Sequence, residues 1–329
     1  MTVRPLVIAH RGASGYRPEH TAAAYQLAIT QGADAVEPDL VPTKDGVLVV
    51  RHENEISGTT DVASHPEFAG RRTTKTIDGA SQTGWFTEDF TWSELSTLRA
   101  RERLGALRPT NTRFDGTEGI LRLVDLIDLL GSADRPLLMV AELKHPTYFE
   151  SIGLPLAAPF AAEIAKWAQP DNLVVECFEQ TVLAQVQELD VPGRVTFLVE
   201  AFGFPADQVA RFGTGARSYA DYLTDAGLAR LMTEVDGVSV QKALLLQRDT
   251  AGNVTGTTDL AHRARSAGLE TYTWTLRAEN QFLEPNFRIG HRARDLGRWE
   301  QEFDLIMRSG VDGVFADQPD LALRARATL

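Results

Sequence analysis

The chain has 329 residues, a formal net charge of −12 and one cysteine, Cys177, so an intramolecular disulfide and a cysteine-based zinc site are both excluded. Any metal must sit on oxygen or imidazole. The acidic balance has no Lys/Arg run to offset it and repels nucleic-acid backbones, and no apolar stretch approaches the ~20 residues that cross a bilayer, so neither nucleic acid nor stable membrane association is expected.

Short apolar, β-branched runs predict strands at Leu6–His10, Ala35–Val41, Val47–Arg51, Leu137–Leu143, Leu173–Cys177, Val195–Val199, Gly237–Val240, Glu270–Leu276 and Gly313–Ala316. Only Pro42-Thr43-Lys44-Asp45-Gly46 separates the second from the third. That is too short for a parallel crossover and suits a hairpin, which leaves eight parallel strands. Helical spacing is found at Thr21–Gln31, Trp92–Leu98, Leu123–Leu130, Phe160–Trp167, Thr181–Glu188, Asp221–Leu231, Thr258–Ala267 and Leu296–Ser309. The fold class is therefore α/β, a single-domain (β/α)₈ TIM barrel, with a long insertion after the hairpin, Glu53 to Gly119. A second long segment runs from Arg277 to Leu296. Both follow strand C-terminal ends, so both are expected to overhang the mouth, with Trp85, Phe86 and Phe90 lining a lid.

The first strand delivers His10-Arg11-Gly12 to that mouth. Arg11 offers forked donors suited to phosphate oxygens, and the glycine lets backbone approach a ligand. A period of two sends Glu37 and Asp39 to one face, and Glu142 and Lys144 end the next parallel strand. Three converging carboxylates repel one another without a cation, and oxygen ligands favour Ca²⁺ or Mg²⁺ over zinc. The hairpin returns His52 toward His10, and two imidazoles can share the acid and base roles of phosphodiester cleavage. Phe178, just past a strand end, offers an apolar wall. His20, His65, His145, His262 and His291 carry no motif and read as structural or solvated.

In order and spacing, His10-Arg11-Gly12 with Pro18-Glu19, Glu37-Pro38-Asp39, Lys44-Asp45-Gly46, His52, Glu142-Leu143-Lys144, Trp274-Thr275 and Asp312-Gly313-Val314-Phe315-Ala316-Asp317 resemble the glycerophosphodiester phosphodiesterase family. The resemblance covers nearly the whole chain. Thr59-Thr60-Asp61-Val62-Ala63 inside the insertion is similar to the longer bacterial members of the periplasmic type. The resemblance implies one divalent cation, Ca²⁺ or Mg²⁺, on Glu37, Asp39 and Glu142, with His10 and His52 as the acid/base pair. It further implies phosphate on Arg11 and Lys144, glycerol against Trp274, and an insertion that caps the site. The expected substrate is a small glycerophosphodiester such as glycerophosphocholine or glycerophosphoethanolamine, giving sn-glycerol 3-phosphate and an alcohol. Water and the glycerol 2-hydroxyl both stand as the attacking oxygen. Two departures from the family pattern are His20, where Asn is usual, and Glu53, where Asp is usual. The rivals are a lysophospholipase D on the same site and a catalytically idle phosphodiester-binding barrel. The oligomeric state leaves no signature. Met1 to His10 lacks the long apolar region of a secretory signal, so the chain reads as cytoplasmic as given, with export open if a leader was removed.

Overall fold

The computed structural model describes residues 4–329. Among the described residues, fourteen strands run in chain order: β1 Leu6–His10, β2 Ala35–Glu37, β3 Asp39–Pro42, β4 Leu48–Val50, β5 Thr73–Ile77, β6 Ala80–Gly84, β7 Leu138–Leu143, β8 Leu173–Cys177, β9 Arg194–Val199, β10 Gly237–Gln241, β11 Leu246–Arg248, β12 Val254–Thr257, β13 Glu270–Leu276 and β14 Gly313–Ala316. The main sheet has the order β2-β1-β14-β13-β10-β9-β8-β7-β3-β4, and a β2–β7 pairing closes it into a barrel of eight parallel strands. The hairpin is as expected, with β4 antiparallel to β3.

The run expected as one strand, Ala35–Val41, divides at Pro38 into β2 and β3. Proline has no N–H to give the ladder, although its carbonyl still accepts from the Glu142 N–H at 2.9 Å. Helices Ala22–Gln31, Leu123–Gly131, Ala157–Ile164, Gln180–Glu188, Asp225–Leu231, Leu260–Ser266, Trp299–Met307 and Pro319–Arg326 pack outside the barrel. Sequence spacing missed Pro319–Arg326, and it ran Tyr219–Tyr222 and Asp225–Leu231 together. Thr224 separates those two by accepting from the Gly227 N–H at 3.0 Å as an N-cap.

Two apolar cores follow from strand alternation. One lies between strands and helices. A smaller one fills the barrel interior with Ile8, Ala35, Leu138, Val140, Val174, Tyr272 and Phe315. The interior plug sits below the mouth, so polar residues at the strand ends close over it.

The insertion builds its own β5–β6 hairpin and short 3₁₀ turns. Its aromatics do not line the mouth. Phe86 and Phe90 are fully buried, Phe68 meets Phe90 edge-to-face at 5.1 Å, and the Trp85 indole N–H donates to the Phe68 carbonyl. Phe68, Phe90, Leu95 and Leu98 belong to the same core as the barrel's outer face, so the insertion is packed onto the barrel as part of it.

Candidate active site

Because all eight barrel strands are parallel, their C-terminal ends present one set of side chains to one cavity of about 360 Å³. His10, Arg11, Glu37, His52, Glu142, Glu176, Phe178 and Trp274 line it, joined by Gln241, Lys242, Arg277 and Gln281 from the far wall.

The chain leaves β1 through Arg11 at φ 58° and Gly12 at φ 80°. A β-carbon on Gly12 would stand 2.7 Å from the Ala24 backbone, which explains why only glycine fits there. The left-handed turn at Arg11 is held by its N–H donating to the Glu37 carbonyl (3.1 Å) and carboxylate (2.8 Å). The Arg11 guanidinium faces Glu19 at 3.2 Å and Asp39 at 3.3 Å.

His10 Nδ1 lies 2.6 Å from Asp317, and His52 Nδ1 lies 2.5 Å from Glu53. Each carboxylate fixes one ring nitrogen and leaves Nε2 as the free one. Burial and the Arg11 charge pull His10 down to about 4, against the opposing pull of Asp317. Burial, with Arg11 and Lys144, pulls His52 down to about 3. Both imidazoles are therefore neutral at pH 7 in the resting protein.

A fourth carboxylate, Glu176, joins those that the sequence implied. The three whose oxygens lie within 4.8 Å of one another are Glu37, Glu142 and Glu176. Glu176 is 2 % exposed, and its Oε2 has no hydrogen-bond partner, nor does the nearby Ser239 hydroxyl. Sequence reasoning missed Glu176. The available signal was a carboxylate two residues before Phe178, near the end of the otherwise apolar run Leu173–Cys177. Asp39 sits beside the cluster with its Oδ2 taken by His20 Nε2 at 2.8 Å, while Oδ1 has no hydrogen bond and faces Lys144 Nζ at 3.7 Å.

Burial and the neighbouring Asp39 charge raise Glu37 well above the usual carboxylate range. Burial, against Lys144 and with Asp39, pushes Glu142 up to about 8. Burial opposes the Lys144 charge, yet Glu142 and Asp39 hold its ammonium above the ordinary value. Lys144 Nζ donates to Glu142 at 2.6 Å. Crowded, acid-raised carboxylates with orphaned oxygens form a site with the charge and donor set of a hard divalent cation.

His20 is fully buried, bonded through Nδ1 to the Tyr25 hydroxyl at 2.8 Å and through Nε2 to Asp39. It is structural, and its role is to hold Asp39. Three residues outside the expected set, Asp317, Arg277 and Arg108, complete the His10 side. Asp317 accepts from Arg277 and from Arg108, each at about 2.7–2.8 Å, and Arg108 also binds Glu279 at 2.7 Å. The insertion thus reaches the histidine through Arg108 and Asp317.

A sequence model described as the Glycerophosphoryl diester phosphodiesterase family matches residues 10–321. The chain belongs to that family. A glycerophosphodiester phosphodiesterase of Arabidopsis thaliana is 30 % identical over 96 % of this chain and 84 % of its own length. One from Haemophilus influenzae is 26 % identical over 96 % and 88 %. Among solved structures, an Oleispira antarctica phosphodiesterase in complex with the product sn-glycerol-3-phosphate superposes with a TM-score of 0.61. It is 20 % identical and covers 98 % of this chain and 96 % of that one. Membership makes the chain a phosphoric diester hydrolase on a (β/α)₈ barrel. Among the described residues, no helix is long and apolar enough to cross a membrane.

Proposed function

We propose that this enzyme hydrolyses small glycerophosphodiesters to sn-glycerol 3-phosphate and an alcohol, with Ca²⁺ or Mg²⁺ held by Glu37, Asp39 Oδ1, Glu142 and Glu176. The observation that carries the reading is the convergence of two carboxylate-oriented neutral imidazoles, the acidic cluster and Arg11 on one cavity. When bound, the cation would polarise a phosphoryl oxygen and stabilise charge developing on it. Arg11 and Lys144 supply fixed positive charge for the remaining phosphate oxygens.

His10 and His52 flank the phosphate position with Nε2 free. One, neutral, accepts the proton of the attacking oxygen at Nε2; the other takes a proton from solvent at Nε2 as the phosphodiester anion binds and gives it to the departing alkoxide. Asp317 and Glu53 keep each ring in one tautomer, and a bound phosphodiester anion raises both imidazoles from their depressed resting values. Phe178 and Trp274, ring centroids 5.7 Å apart and edge-to-face, form the apolar wall against which the glycerol carbons lie. The segment Glu53 to Gly119 serves as the rim on the His52 side.

The test is a metal-depleted assay on glycerophosphocholine, with Ca²⁺, Mg²⁺ and Zn²⁺ restored separately and glycerol 3-phosphate measured as product. Full activity without any cation, or products other than glycerol 3-phosphate, would sink the proposal.

A further inference from the structure

One short turn of the insertion reaches the carboxylates behind both histidines. Residues 103–108 form it, closed by the Leu107 and Arg108 N–H groups, which both donate to the Leu104 carbonyl at 2.8 Å. The Glu102 carboxylate braces it, accepting from the Leu104 N–H at 2.7 Å and from the Asn111 amide at 2.9 Å. The turn is tied to the rest of the insertion by the Arg101 N–H on the Thr59 carbonyl (2.9 Å) and the Glu102 N–H on the Asp115 carboxylate (2.8 Å). An arginine stands at each end.

Arg108 holds Asp317 and Glu279 on the His10 side. Arg103 makes the corresponding contacts on the His52 side. Its Nη1 donates to Glu53 Oε1 at 2.8 Å, the same oxygen that faces His52 Nδ1. Its Nε lies 3.0 Å from Glu19 Oε2, and Glu19, largely buried and paired with Arg11, anchors the guanidinium. Glu53 depends on such a partner more than Asp317 does. The Asp317 side chain is 2 % exposed and keeps Arg277 as a second partner, whereas the longer Glu53 side chain is 32 % exposed. Among the described residues, Arg103 is the only arginine or lysine within ion-pair distance of Glu53. Burial works against the Glu53 charge, but His52, Arg103 and Arg11 outweigh it and hold the carboxyl below the usual range, so it meets Nδ1 as an anion.

A guanidinium suits this bridge, because Nε and Nη1 donate to two carboxylates in a fixed mutual geometry that a single ammonium lacks. We propose that Arg103 is a positioning residue for His52: anchored on Glu19, it fixes the Glu53 carboxylate, which holds the imidazole with Nδ1 protonated and Nε2 turned to the phosphate. The inference rests on the phosphodiesterase reading and deepens it. Neither Arg103 nor Arg108 lines the cavity, so the insertion acts on the chemistry from behind the histidines. One rigid turn then sets both members of the acid/base pair.

The experiment has three measurements on Arg103→Gln. On glycerophosphocholine, kcat should fall by about tenfold or more in the wild-type background and by less than about twofold in a His52→Ala background, where no imidazole is left to orient. A nitrophenyl leaving group should affect Arg103→Gln and His52→Ala alike, rescuing both or neither. In ¹⁵N spectra of the resting enzyme at pH 7.5, with His52 assigned by its loss in His52→Ala, the wild-type ring should show one Nδ1–H tautomer. Arg103→Gln should show a mixture, with His10 unmoved. A kcat loss that persists in His52→Ala, as it would if Arg103 acted through Glu19 on Arg11 or merely held the fold, overturns the inference. So does an opposite leaving-group response, or a His52 tautomer unchanged in the variant. A wild type that cleaves no glycerophosphodiester defeats the phosphodiesterase reading, while the imidazole spectra still decide whether Arg103 orients His52. Should Arg103→Gln fail to fold, Arg103→Lys, which keeps the charge but loses the fork, carries the same measurements.

Discussion

Replacing Glu176 by Gln separates the cost of the acidic cluster from its use. Glu176 lies within 4.8 Å of Glu37 and Glu142, and two like charges at that distance repel by about 3 kcal/mol at an effective dielectric of about 20. The folded protein avoids this by holding a proton, since burial, Glu142 and Asp39 raise Glu176 well above its ordinary 4.5. Holding that proton at pH 7.5 against an unfolded value of 4.5 costs at most about 4 kcal/mol, from ~1.4 kcal/mol per unit. The sign is fixed by the direction of the shift. A carboxyl raised on folding imposes no penalty below its unfolded value and a growing one as pH rises above it. Gln removes the penalty and breaks no hydrogen bond at Oε2, which has none. The metal-free variant should therefore be more stable than wild type at pH 7.5, by up to about 4 kcal/mol, with the two converging below pH 4.5. With saturating cation the variant's advantage should shrink by about 2.7 kcal/mol, as a lost carboxylate ligand weakens Ca²⁺ or Mg²⁺ by about 10²-fold. Chemical denaturation of chelated protein across pH, paired with calorimetric cation titration, measures both. A chelated variant less stable at pH 7.5, with cation affinity unchanged, would refute the argument.

Cation binding at pH 7 should release more than one proton, because Glu142, at about 8, is protonated beforehand and its fellow ligands Glu37 and Glu176 are also raised well above the ordinary carboxylate range, and affinity should rise with pH; calorimetry in buffers of different ionisation enthalpy counts the protons. His10→Ala and His52→Ala should each lose about 10²-fold or more in kcat with cation affinity retained, and a nitrophenyl leaving group, which needs no protonation, should rescue only one of the two. Equal failure of rescue would remove the division of labour. Arg108→Ala should destabilise by about 3–5 kcal/mol, because Glu279 and Asp317 lose a buried partner at 2.7 Å, and it should lower kcat through His10; urea unfolding and steady-state rates on the folded variant report the two effects.

Much of this molecule is legible in its sequence. Eight apolar runs at helix-length spacing, with one hairpin too short for a crossover, dictate a parallel barrel, because a strand buried on both faces must be apolar throughout. The barrel then places whatever ends each strand at one mouth, which is why His10, Arg11, Glu37 and Glu142, expected there from strand position, line one cavity. Tertiary structure decided what depends on register and packing. Glu176 joins Glu37 and Glu142 because β8 aligns it with Glu142, while Asp39, at the right period, has Oδ2 held by His20 and Arg11 and leaves Oδ1 unbonded toward Lys144. The aromatics of the insertion read as a lid in the sequence, but they are its core, since a segment of that length must bury its own apolar surface to fold. The partners of His10 and His52 divide in the same way. Glu53 is adjacent in the chain, whereas Asp317 lies 307 residues from His10 and meets it only because the last strand closes the barrel beside the first.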